Sequence, residues 1–198
     1  LRLKHTKAGP AAMAAARSLD LLLGATATVA TARGGVDNVA APAGSVRDAL
    51  PAALVLGTHT YGVTAVSRHE AQGGSTAVPL AVLATTAALG TAVLTAGRAA
   101  RTQGLRAHRP TRPHHLTPAD LLLTAFTGAY LRTAGPPLLH AALNPSPPLT
   151  RRAVGGGIRA MIPLQAALAA RNGAPGSGLA VMALVPLARA LARKVSPT

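Results

Sequence analysis

Two sets of ionisable residues interrupt an otherwise apolar chain, and their chemistry is the first thing to explain. Arg17 and Asp20 stand three residues apart in a stretch built from Ala, Leu, Met and Gly. On a helix that spacing puts both side chains on one face, and charge in an apolar helix is costly unless it faces a cavity or a partner. The pair reads either as part of a site or as an ion pair that pins helix packing. The second set is Ser67, Arg68, His69 and Glu70, at the end of an apolar run and followed by Gly73 and Gly74. Arginine offers a fork of donors to phosphate oxygens, and a carboxylate can hold Mg²⁺ that bridges to the same phosphates. Such a cluster suits an anion or a metal-bound diphosphate; the alternative is a polar helix cap with flexible glycines.

Other polar residues carry less. His59 and Tyr61 lie within an apolar run, where a lone histidine is more often a hydrogen-bonded packing residue than a metal ligand. Arg159 and Gln165 interrupt the run that follows three successive glycines. Arg159 can face the same cavity as Arg17 or snorkel to the membrane interface. The chain has no Cys, no G-x-S-x-G elbow and no Walker A loop, so hydrolytic or ATP-driven chemistry has no support.

The elements that must position these groups are set by composition. Of 198 residues, 49% are hydrophobic and 2% aromatic, and only 13% are charged, about half the charged share of an ordinary soluble domain. Apolar residues gather into six runs, approximately 9–32, 49–67, 76–97, 117–143, 154–171 and 176–194, each near or above the ~17 residues that a membrane-crossing helix needs. Backbone groups in lipid must be satisfied internally, which makes helices the expected form. The expectation is an all-α, polytopic transmembrane bundle of about five or six helices. Gly135, Pro136 and Pro137 should kink or break the fourth run.

Net charge is +15, from 20 Lys and Arg against 5 Asp and Glu. The basic residues sit mostly between apolar runs, as in the segment 98–115 with its five arginines, which fits membrane topology and anionic head groups. Interleaved aromatics, the mark of a nucleic-acid surface, are missing, so no nucleic-acid partner is expected. By the positive-inside rule, residues 1–8 and 68–75 face the cytoplasm. Simple alternation then puts the arginine-rich segment 98–115 on the opposite side, against that rule.

Leu3 to Thr6 (LKHT), Gly9 to Gly24 (GPAAMAAARSLDLLLG), Tyr61 to Gly74 (YGVTAVSRHEAQGG), the segment GIRAMIPLQ and the final RKVSPT resemble the C-terminal half of the UbiA superfamily of intramembrane prenyltransferases, closest to its actinobacterial, EboC-like branch. The resemblance implies a helical bundle around a cavity open to lipid, in a bacterial plasma membrane. It implies transfer of a prenyl group from a prenyl diphosphate to an aromatic or other lipophilic acceptor, with Mg²⁺ as cofactor. By that likeness Lys4 and Arg68 approach the diphosphate, and Glu70 takes the place of one metal-binding acid of the second acidic loop, usually Asp-Arg-x-Asp-Asp. Ser67 stands where the first aspartate of that loop belongs, and a hydroxyl is a poorer ligand for a hard cation than a carboxylate. Arg17, Asp20, Tyr61 and Ser67 are expected to line the cavity, and no residue is assigned as directly catalytic.

Nothing here matches the family's first loop, Asn-x-x-x-Asp-x-x-x-Asp. The likeness therefore implies that residues 1–198 form the C-terminal part of one membrane domain whose earlier helices are not in this chain. The alternative to an enzyme is a noncatalytic membrane protein that binds or transports a lipid or isoprenoid.

Overall fold

A computed structural model describes residues 8–34, 46–71, 74–108 and 117–195. They form six helices: α1 (Gly9–Gly34), α2 (Val46–Ser67), α3 (Ala77–His108), α4 (Pro118–Leu143), α5 (Pro147–Arg171) and α6 (Pro175–Val195). Each helix packs on its successor, α4 and α5 most extensively, and α5 also meets α2 and α3. The shortest, α6, has 21 residues, about 30 Å at 1.5 Å per residue, the thickness of a bilayer's hydrocarbon core. Among the described residues three stretches, Val46–Ser67, Ala77–Ala100 and Pro147–Arg171, are long and apolar enough to cross a membrane. Leu19, Leu23, Leu54, Leu80 and Leu143 point outward, each more than half exposed. An apolar exterior of that extent suits lipid rather than water.

The helices fall on the six apolar runs, with three differences. The third helix continues through Arg98 to His108, so Arg98, Arg101 and Arg106 sit on a helical extension instead of in a connecting loop. Ala, Arg, Gln and Leu are good helix formers, and no proline intervenes before residue 110. At α5 the helix starts at Pro147, inside what reads as a proline-rich connector. Proline is tolerated in a first turn because its missing N–H would have no partner there.

The third difference is that α4 runs unbroken through Pro136 and Pro137. These prolines withdraw the N–H groups that would bond the carbonyls of Arg132 and Thr133. The Thr133 oxygen instead lies against Gly156 of α5, where a Cβ would stand 3.1 Å from it and 3.0 Å from Pro137 Cγ. A residue without a side chain lets the two backbones meet, and the neighbouring helix covers the freed carbonyl.

Small residues set the spacing elsewhere too. Ala134, Ala141, Ala160, Ala166 and Ala170 are fully buried, with Tyr130, Leu123, Leu164 and Val93 filling the wider gaps. Between α1 and α2 the Ser18 hydroxyl donates to the Ala53 carbonyl at 2.9 Å. Gly57 lies beneath Ser18 and Ala14, where any Cβ would collide with Ser18 Oγ. Ala14 thus sits level with Gly57 and Ser18 with Ala53, so α1 and α2 run antiparallel.

The start of α4 is fixed by a capping box. Asp120 N–H donates to Thr117 Oγ1 at 3.2 Å, and Thr117 N–H donates to Asp120 Oδ2 at 3.1 Å. Thr117→Ala is expected to cost about 1 kcal/mol, read as a small drop in thermal midpoint with faster amide exchange confined to the first turn of α4.

Candidate functional site

Helices α1, α2 and α5 leave a groove of about 410 Å³. Leu21 of α1, Ala52 and Leu56 of α2 and Leu168 of α5 give it apolar walls. Its polar groups are Arg17 and Asp20 on α1, Gln165 on α5, and Asn172, which caps the end of α5. Arg17 Nη1 and Asp20 Oδ2 are 3.7 Å apart, and both side chains are about half exposed, at 47% and 65%. The pair borders the groove and makes a contact within α1 alone, so it does not pin one helix to another. An apolar trough with a cation, an anion and two amides along its margin suits an amphiphile with a polar end.

The Ser67 to Glu70 cluster lies elsewhere. Ser67 is the last residue of α2, and its hydroxyl donates to the Thr64 carbonyl at 2.8 Å. The chain then turns, with His69 N–H donating to Val66 O at 3.0 Å and Glu70 N–H to Ser67 O at 3.2 Å. Arg68 is exposed, while His69 and Glu70 are half-buried. The Gly74 N–H donates to Pro145 O at 2.9 Å, tying this connection to the turn between α4 and α5. Twelve residues separate Leu56 in the groove from Arg68, about 18 Å along the helix axis.

The structure thus brings Arg17 and Asp20 together with Gln165, and it keeps them apart from Arg68 and Glu70. Tyr61 is 49% exposed and, like Ser67, is not among the residues lining the groove. Lys4 and Gly73 lie outside the described residues. The guanidinium of Arg159 turns back over Gly155, one helical turn toward the start of α5, and Arg159 is not among the residues that line the groove with Arg17.

Among the described residues, no three of His, Cys, Asp and Glu come together as a ready metal cage. Glu70 offers a single carboxylate. Mg²⁺ commonly takes one or two carboxylates and completes its shell with substrate phosphates and water, so a single carboxylate such as Glu70 is not a metal site by itself.

His59 is a buried ionisable group, only 4% exposed. Its Nε2 lies 2.9 Å from the Gly157 carbonyl of α5, and its Nδ1 lies 3.1 Å from the Tyr130 hydroxyl of α4. A carbonyl only accepts, so the ring proton is on Nε2, which leaves Nδ1 to accept from Tyr130. The rings of His59 and Tyr130 meet edge to face at 5.3 Å. One directed chain of hydrogen bonds therefore joins α2, α4 and α5 inside the bundle, in keeping with the packing role expected for His59. Tyr130, its side-chain partner, carries one signal in the sequence, that of a polar residue within an apolar run. Asn172 gave a weaker signal, a polar residue just past the end of one.

The described residues make this chain an all-α, multi-helix bundle of the polytopic membrane class. No protein-family model, curated protein or solved structure matches it.

Proposed function

We propose that the protein is an intramembrane prenyltransferase of the UbiA kind, moving a prenyl group from a prenyl diphosphate to a lipophilic acceptor. The observation that carries this reading is the double character of α2: an exposed arginine and a half-buried carboxylate at one end, and an apolar groove along the other half. In this scheme Arg68, joined by Lys4, donates to the diphosphate oxygens. Glu70 helps to hold Mg²⁺, which when bound offsets the negative charge growing on the leaving diphosphate. The carbon–oxygen bond of the prenyl diphosphate breaks, diphosphate departs with the bonding electrons, and the allylic carbon bonds to the acceptor, which gives up a proton. The groove takes the apolar acceptor or chain and limits access of water to the cation.

A second reading is a noncatalytic lipid- or isoprenoid-binding protein. It is favoured by Ser67, whose hydroxyl is committed to the Thr64 carbonyl, and by the distance between groove and Arg68. The deciding measurement is Mg²⁺-dependent transfer from labelled prenyl diphosphate in membranes containing the protein. Transfer that falls at least about tenfold with Arg68→Ala, a loss of ~1.4 kcal/mol in transition-state stabilisation, and persists with Arg47→Ala supports the enzyme. Saturable retention of an isoprenoid without transfer supports the second reading, and neither result would leave both without foundation.

A further inference from the structure

Arg159 is the thirteenth of the 25 residues of α5, at mid-helix, and is exposed. Among the described residues it has no carboxylate partner. An unpaired arginine at that depth on an outward face is costly in lipid. Its guanidinium lies over Gly155, with Nη1 3.3 Å from where a Cβ would stand. Gly155 is thus the gap that lets the side chain reach toward the start of the helix.

One turn beyond Gly155 on the same face is Arg151, also exposed, with Arg152 beside it. The helix start lies about 6 Å farther on and adds its positive dipole end. The result is a cationic strip running from the start of α5 down toward the middle of the membrane. A soluble anion would have to leave water to reach the deeper arginine, whereas a lipid phosphate already resides at the interface and brings apolar chains suited to Ile158, which is 56% exposed.

We infer that Arg151 and Arg159 form a binding site for the phosphate of an anionic phospholipid, with its acyl chains lying along the outer face of α5. The site is separate from the groove and does not depend on the prenyl-transfer reading. Purified protein in a nonionic detergent, incubated with equal amounts of phosphatidylglycerol and phosphatidylcholine of matched chains, is expected to retain the anionic lipid preferentially. Arg159→Gln, at an exposed position whose loss need not disturb packing, should reduce the preference about fivefold, the worth of one interfacial arginine. Arg151→Gln should act similarly, Gly155→Leu should do so by blocking the guanidinium, and Arg47→Gln at the start of α2 should leave the ratio unchanged. Equal retention of the two lipids by the unmodified protein overturns the site. An equal drop with Arg47→Gln also overturns it, because it would reveal only net charge. Displacement of the bound lipid by excess inorganic phosphate overturns the lipid assignment in favour of a soluble phosphate.

Discussion

His59→Leu is expected to lower the thermal midpoint of the purified protein by roughly 4–8 °C, from a loss of about 2 kcal/mol at ~2–4 °C per kcal/mol for a chain of this size. The substitution keeps an apolar side chain of moderate size but takes away the acceptor for the Tyr130 hydroxyl and the donor to the Gly157 carbonyl. Both groups are buried, and a buried polar group deprived of its partner costs more than the bond itself was worth. Interhelical hydrogen bonds in membranes average nearer ~0.6 kcal/mol, which keeps the expected total modest. Tyr130→Phe should cost less, because it removes one bond and leaves His59 tied to Gly157. A double-mutant cycle carries the sharper test: His59→Leu with Tyr130→Phe should come close to His59→Leu alone. Additive losses would mean that the two side chains do not share a bond.

The second large effect is expected at Gly57. A Cβ there collides with Ser18 Oγ and lies 3.2 Å from the Ala14 carbonyl, so Gly57→Leu must push α1 off α2. Overpacking of this kind commonly costs about 1–3 kcal/mol and occasionally more. The chain has no cysteine, so a pair introduced by Ser18→Cys and Ala53→Cys reports directly on the seam, forming a disulfide readily with Gly57 in place and poorly with leucine there. Gly57→Ala should be partly rescued by Ser18→Ala, which removes the colliding oxygen and leaves Ser18 Cβ at 3.5 Å. Unchanged crosslinking with leucine at 57 would show that α1 does not rest on that glycine.

Most of the helices were legible because run length and hydrophobicity act locally. Ala, Leu and Val over some twenty residues leave lipid-compatible helix as the form that satisfies the backbone. The boundaries that moved did so for equally local reasons. Prolines 147 and 148 look like breakers in a linear reading, yet they occupy a first turn where no N–H is needed. Arg98 and its followers look like a polar loop, yet their helix propensity is high. The pairings were of another kind. His59 meets Tyr130 across 71 residues and Gly157 across 98, and Arg17 shares its groove with Gln165 of a distant helix. Spacing along a chain holds no information about which faces of separate helices meet. The face shared by Arg17 and Asp20 was legible for the opposite reason, since three residues on one helix fix the relation by geometry.

The helices around the groove are not held equally. Its floor, α2, is fastened to α4 and α5 through His59, and the connection that follows it is held to the α4–α5 turn through Gly74 and Pro145. Its far wall, α5, is packed against α4 through Gly156. Among the described residues the near wall, α1, packs against α2 and no other helix. The width of the groove is therefore a property of one seam, that of Ser18 with Ala53 and Gly57, and a tilt of α1 about that seam would widen the trough while leaving the packing of the other five helices in place.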